Sequence, residues 1–159
     1  MYLILIVMFL NVNLPSCAAN PESLPPVVSM EYKEYGATEY PSFYFLLARD
    51  ADSGRYLLTN ASDCAREDAR TVEVPDTVAE QLKRIVIEED MLSYRRDYEP
   101  MFTIYDGTSW TLHIRFQDSD RSVYSSGYVA RPSGHGLERL RELCRSAWAD
   151  FAENINPQK

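Results

Sequence analysis

The sequence predicts an α+β fold, in which two amphipathic helices pack on one face of an antiparallel β-sheet of about six or seven strands. Apolar and polar residues alternate strictly over residues 110–117, and turn sequences join two pairs of strands as hairpins. Two further segments repeat apolar residues at helical spacing. The chain of 159 residues is long enough for one such domain.

The N-terminus differs in composition from the rest of the chain. Residues 1–21 carry no charged side chain, and Met1–Leu10 form a continuous apolar run. Such a run is too short for a membrane-spanning helix but is typical of a signal peptide. We interpret residues 1–19 as a signal peptide, 20–26 as a proline-rich spacer, 27–154 as one α+β domain and 155–159 as a flexible tail.

Two routes of processing are open. The segment Leu14-Pro15-Ser16-Cys17 is similar to a bacterial lipoprotein signal, in which a lipid on Cys17 anchors the protein in the cell envelope, although Pro15 and the uncharged start depart from it. Cleavage near Ala18 and Ala19 would instead release the domain into the periplasm or the medium. A third alternative keeps residues 2–10 as a buried element of the domain.

The first half of the domain is predicted as four strands and a helix. Val28, Met30 and Tyr32 point to one face of the first strand, while residues 42–49 and 55–59 form a hairpin. A short strand over 71–74 ends at a proline. Thr77 and Glu80 have the spacing of a capping box. They open a helix that runs to about Met91 and turns four apolar residues inward: Val78, Leu82, Ile85 and Val86.

The second half is predicted as three strands and a helix. Residues 101–105 form a strand, Asp106 and Gly107 a turn, and the alternating strand turns Trp110, Leu112, Ile114 and Phe116 inward. A return strand follows over about 122–130. The last helix begins after Gly136 and carries an apolar stripe that includes Cys144.

Charge and cysteine content limit the functions that we consider. With 16 basic against 24 acidic residues, the net charge is −8, which argues against a nucleic-acid partner because phosphate binding needs a basic surface. Apart from Cys17, the cysteines are Cys64 and Cys144. In an exported protein these two are a candidate disulfide, whereas the apolar stripe favours Cys144 as a small buried hydrophobe.

The sequence favours a binding domain over an enzyme. The histidines His113 and His135 have no further ligands at metal-binding spacing, and no glycine-rich nucleotide motif is present, so we expect neither metal nor cofactor. The loop around His135 precedes a helix, where free N–H groups either cap the helix or hold an anion. The two Asp-x-Asp pairs, at Asp50 and Asp118, are interpreted as turn residues.

One predicted sheet surface has the composition of a recognition site. Opposite the Trp110 face we expect His113, Arg115, Tyr124, Ser126 and Tyr128 to lie together, if the return strand has the matching register. Tyrosine and arginine are enriched where proteins bind ligands, so this surface is a candidate for a protein, peptide or glycan. The alternative is a small hydrolase-like or inhibitor domain with its site near His135 or on the His113 face.

Two motifs in the last third of the chain carry a resemblance: Asp106-Gly107-x-x-Trp110-x-Leu112-x-Ile114-x-Phe116 and Ser125-Ser126-Gly127-Tyr128-x-Ala130-x-Pro132. They resemble a group of small, functionally uncharacterised bacterial lipoproteins and exported proteins, and the similarity extends over about residues 40–145. The resemblance implies export and a hairpin followed by a helix. It assigns no catalytic residue.

Overall fold

The computed structural model describes residues 24–101, 106–117 and 120–152, and the predicted leader therefore lies outside the described residues. Across the described residues, seven strands form one sheet with two helices beside it. The strands are β1 (Val27–Tyr35), β2 (Phe43–Arg49), β3 (Tyr56–Asn60), β4 (Arg70–Val74), β5 (Asp97–Tyr98), β6 (Ser109–Phe116) and β7 (Ser122–Tyr128), and the helices are α1 (Asp76–Glu88) and α2 (Gly136–Ala152).

The sheet has the strand order β4-β3-β2-β1-β6-β7-β5. All neighbours run antiparallel except β5 and β7, which are parallel. This arrangement confirms the predicted α+β class and both predicted hairpins. The two-residue strand β5 was not predicted, whereas the predicted strand 101–105 falls on residues that, apart from Met101, lie outside the described ranges.

Strand β1 lies at the centre of the sheet, and its alternation differs from the prediction at one end. Met30 and Tyr32 face the core as expected, but Val27 is buried there instead of Val28. The pairing with β6 shifts register between Val27 and Ser29, which is typical of a β-bulge. The extra residue turns Val27 inward.

Both helices contribute to the core that the inward side chains form. The predicted inward residues of α1 are all buried, as are Leu137, Leu140 and Cys144 of α2. The capping box was wrong: the N-cap is Pro75, without a side-chain hydrogen bond. Proline fixes φ near the helical value, so α1 begins directly after it and Thr77 already lies in the first turn.

A glycine allows the end of β7 to close over the core tryptophan. The indole Nε1 of Trp110 donates to the carbonyl of Ala130 at 2.8 Å. A Cβ atom on Gly127 would lie 2.5 Å from that nitrogen and 2.6 Å from the carbonyl oxygen. Only glycine permits this approach. The next turn includes Val129 at φ +62°, a left-handed conformation that is costly for a β-branched residue.

The same turn brings an arginine beneath the sheet to a buried carboxylate. Glu34, the last inward residue of β1, is only 2% exposed and forms ion pairs with Arg131, at 2.9 Å, and with Arg141 of α2. The hydroxyl of Tyr32 donates to the same carboxylate. Because burial disfavours the phenolate, the pKa of Tyr32 is raised, although Arg131 partly opposes this. We call these four side chains the Glu34 cluster.

Candidate functional site

The helices lie on one face of the sheet, and the opposite face, which we call the open face, carries the alternate residues of the strands. Strand pairing arranges these residues in rows across the sheet. The central row includes Leu46, Glu31, His113 and Tyr124 on four successive strands. The register therefore places the predicted residues of β6 and β7 side by side.

His113 and Tyr124 form the aromatic part of this row. Their rings meet edge to face, with centroids 5.5 Å apart. The guanidinium carbon of Arg96, from the segment before β5, lies 5.5 Å from the centre of the Tyr124 ring. Tyr124 remains 47% exposed, and Arg96 is a site residue that sequence reasoning missed.

Glu31 lies opposite His113, but its carboxylate is engaged elsewhere. One oxygen accepts from the hydroxyl of Tyr44 at 3.1 Å, and the other lies 3.7 Å from the ammonium group of Lys33. In the next row, Arg115 donates from Nε to the hydroxyl of Ser29 at 2.9 Å. Within the described ranges, no hydrogen bond joins the His113 imidazole to a carboxylate.

The two remaining predicted residues have structural partners. The hydroxyl of Ser126 donates to the Asp97 carboxylate at 3.0 Å, so it connects β7 to β5. The hydroxyl of Tyr128 accepts from the Gly107 N–H at 2.8 Å and supports the turn before β6. Both lie on the expected face. Among the five predicted residues, Arg115 and Tyr124 are exposed, whereas His113, Ser126 and Tyr128 are half-buried.

A cleft opens where the segment before β5 diverges from β7. We call it the edge cleft. It encloses about 370 Å³ and is lined by Met91, Leu92, Tyr94, Arg96, Ser122, Val123 and Tyr124. Leu92 is 37% exposed, which makes it one of two large exposed apolar side chains here, with Tyr124 as the other. The edge cleft is continuous with the open face through Tyr124 and Arg96.

His135 lies directly before α2, apart from the predicted residues of the open face. A carboxylate of the protein itself already binds at this helix N-terminus. The N–H of His135 donates to Glu89 at 3.0 Å, and Arg139 donates to the other oxygen at 2.9 Å. These bonds, Arg139 first, lower the pKa of Glu89. The carboxylate therefore occupies the position that an anion would take at this helix N-terminus.

The two cysteines of the domain are both free thiols. Cys144 is buried on the core side of α2, where desolvation raises its pKa to about 12. Cys64 lies in the loop after β3 and lines a depression that includes Tyr35 and Tyr44 of the open face. Because the sheet separates the two positions, the structure does not bring the candidate disulfide together. The candidate anchor Cys17 lies outside the described residues.

No group of three or more histidine, cysteine or acidic side chains in the described ranges could hold a metal ion. No helix among the described residues is both long and apolar enough to cross a membrane.

Comparison with known proteins does not assign the chain. No protein-family model matches it, and no curated protein matches it either.

We predict that Glu89→Gln lowers the stability of the protein at neutral pH by about 1 kcal/mol, the usual contribution of a helix cap. Since the folded-state pKa of Glu89 is lowered, its charge stabilises the fold above about pH 4.5, and this contribution disappears as the pH falls through the lowered value. Urea unfolding at pH 7 and pH 3 should therefore show a difference from wild type that shrinks in acid.

Glu142→Gln, on an exposed part of α2, is the matched control and should leave stability nearly unchanged at both pH values. A Glu89→Gln difference that is equally large at pH 3 and pH 7 would contradict the capping role.

Proposed function

We propose that this chain is an exported cell-envelope protein, held by a lipid on Cys17, whose domain binds a polypeptide ligand through the open face. The observation that carries the binding role is the one-sided packing of the sheet. Both helices cover the face that includes Trp110, and Arg115 and Tyr124 remain exposed on the other.

The chemistry of the open face supports a ligand with both apolar and charged groups. Tyr124 offers an exposed ring that contacts both an imidazole and a guanidinium. Arg115 is exposed beside the same row, and within the described part of the chain its side chain pairs with a neutral serine hydroxyl and with no carboxylate. Aromatic and arginine side chains are the residue types that contribute most to protein–protein binding energy.

The proposal of export depends on the composition of the first 21 residues. They combine an apolar run with a following small-residue segment around Cys17, which is the order of the apolar region and the cleavage region in signal peptides. A lipid on Cys17 would place the domain beside the membrane, with the proline-rich segment as a spacer.

We predict that a photoreactive phenylalanine analogue in place of Tyr124 forms a specific adduct with a polypeptide in the envelope fraction of the producing cell. The aromatic replacement retains the shape of the ring and reports only on groups that contact it. Excess unmodified protein should suppress the adduct, and Arg115→Glu should weaken it because the face then repels an acidic ligand.

The same analogue in place of Arg84, on the exposed side of α1, is the control and should give no such adduct. Equal adducts at both positions, or an adduct only at position 84, would show that the open face is not the binding surface. An adduct with a glycan would still support the open face as the binding surface, but it would show that the ligand is not a polypeptide.

We predict that the wild-type protein incorporates labelled palmitate and that Cys17→Ala abolishes the label, because Cys17 is the proposed site of lipidation. Mass spectrometry of the mature N-terminus checks the result. A mature chain that begins near Asn20 without lipid would refute the anchor and retain export.

A further inference from the structure

We propose that the edge cleft binds an extended acidic peptide, which adds to the free edge of β7 at Ser122 and Tyr124 and places a carboxylate on Arg96. This inference rests on the proposed binding function and names the class of its ligand. It depends on three observations: the direction of the β7 backbone groups, the environment of Arg96 and the apolar floor of the cleft.

The backbone of β7 has a free edge where β5 does not reach. The N–H of Ser126 points away from β6, since it donates to the carbonyl of Arg96 at 2.8 Å. Ser122 and Tyr124 have the same parity along the strand and turn their N–H and C=O groups to the same edge. Because β5 pairs only with Ser126 and Gly127, no strand among the described residues covers these groups.

An extended peptide is the ligand that satisfies such groups. A strand edge presents alternating donors and acceptors, and a second extended backbone can pair with both. The edge of β7 offers two residues for this pairing, and the edge cleft beside it holds about 370 Å³. A short segment of a few residues therefore fits better than a long strand.

Charge favours an acidic segment. Arg96 is exposed beside the ring of Tyr124, and within the described residues no carboxylate lies within salt-bridge distance of it. Arg95 precedes it, with its guanidinium over the ring of Tyr98. Asp97 follows Arg96 in the chain, but its carboxylate accepts from the hydroxyl of Ser126 at 3.0 Å and is not paired with Arg96. A ligand carboxylate would supply the missing partner of Arg96.

At the free edge of β7, one face of the sheet is polar and the other is apolar, which predicts that charged and apolar residues alternate in the ligand. Tyr124 belongs to the open face, and Arg96 lies over its ring. Val123 and Met91 are buried on the other side and form the apolar floor of the cleft. Since successive side chains of an extended peptide point to opposite faces, aspartate would meet Arg96 while an apolar neighbour packs on Val123 and Met91.

The test is a titration of the isotope-labelled protein with a blocked six-residue peptide of alternating aspartate and valine, followed by amide NMR. We expect shifts at Ser122 and Tyr124 and slower hydrogen exchange of the Tyr124 amide. Arg96→Gln should weaken binding about tenfold or more, and a peptide with lysine in place of aspartate should not bind.

Two variants separate backbone pairing from charge. Ser122→Pro removes one outward N–H at the first residue of the strand, where proline is tolerated, and should weaken binding several-fold with the remaining spectrum unchanged. Arg84→Gln is the matched control on α1 and should leave binding unchanged.

Equal losses with Arg84→Gln and Arg96→Gln, or equal binding of the lysine peptide, would overturn the inference. Shifts confined to His113 and Arg115 would also overturn the inference, although they would still support the open face as the binding surface. An absence of shifts would refute the proposal that the ligand is an acidic peptide. It would not refute polypeptide binding by the open face, which the crosslinking at position 124 tests independently.

Discussion

The Glu34 cluster is the interaction on which the arrangement of this fold depends. A carboxylate that is 2% exposed cannot remain charged without partners, and its partners come from two distant segments, Arg131 after β7 and Arg141 on α2. Each arginine side chain is 33% exposed, so each keeps part of its hydration while it compensates the buried charge. The cluster thereby ties the central strand to the turn and to the helix that covers one face.

Several local features become understandable from this connection. The left-handed conformation of Val129 is unfavourable in isolation, yet it turns the chain so that Arg131 lies beneath the sheet. Gly127 permits the bond between Trp110 and Ala130 that holds the turn in place. With α2 fixed on this side, the part of the open face around Arg115 and Tyr124 remains exposed, which is the basis of the proposed binding role. Removing one partner of a buried ion pair is strongly destabilising, whereas replacing the whole pair by apolar side chains is often neutral.

The periodic parts of the structure could be predicted from the sequence because their signals are local. Alternation gave the inward set of β6, and the hairpin before β7 then placed His113 and Tyr124 side by side. The same alternation, continued from Met30 and Tyr32, would have placed Glu34 inward. The bulge at Val27 and the strand β5 depend on pairing with distant strands, so no local pattern revealed them. For the same reason, Arg96 and the edge cleft could not be predicted.

The unfolding free energies of a charge-removal series show whether the fold depends on the Glu34 cluster. The variants are Arg131→Met with Arg141→Met, then the same pair combined with Glu34→Leu, each measured by urea denaturation. We predict that the double variant loses about 3–5 kcal/mol, because it leaves a buried carboxylate without a cationic partner, and that Glu34→Leu restores most of this loss. A triple variant that is no more stable than the double variant would contradict the account.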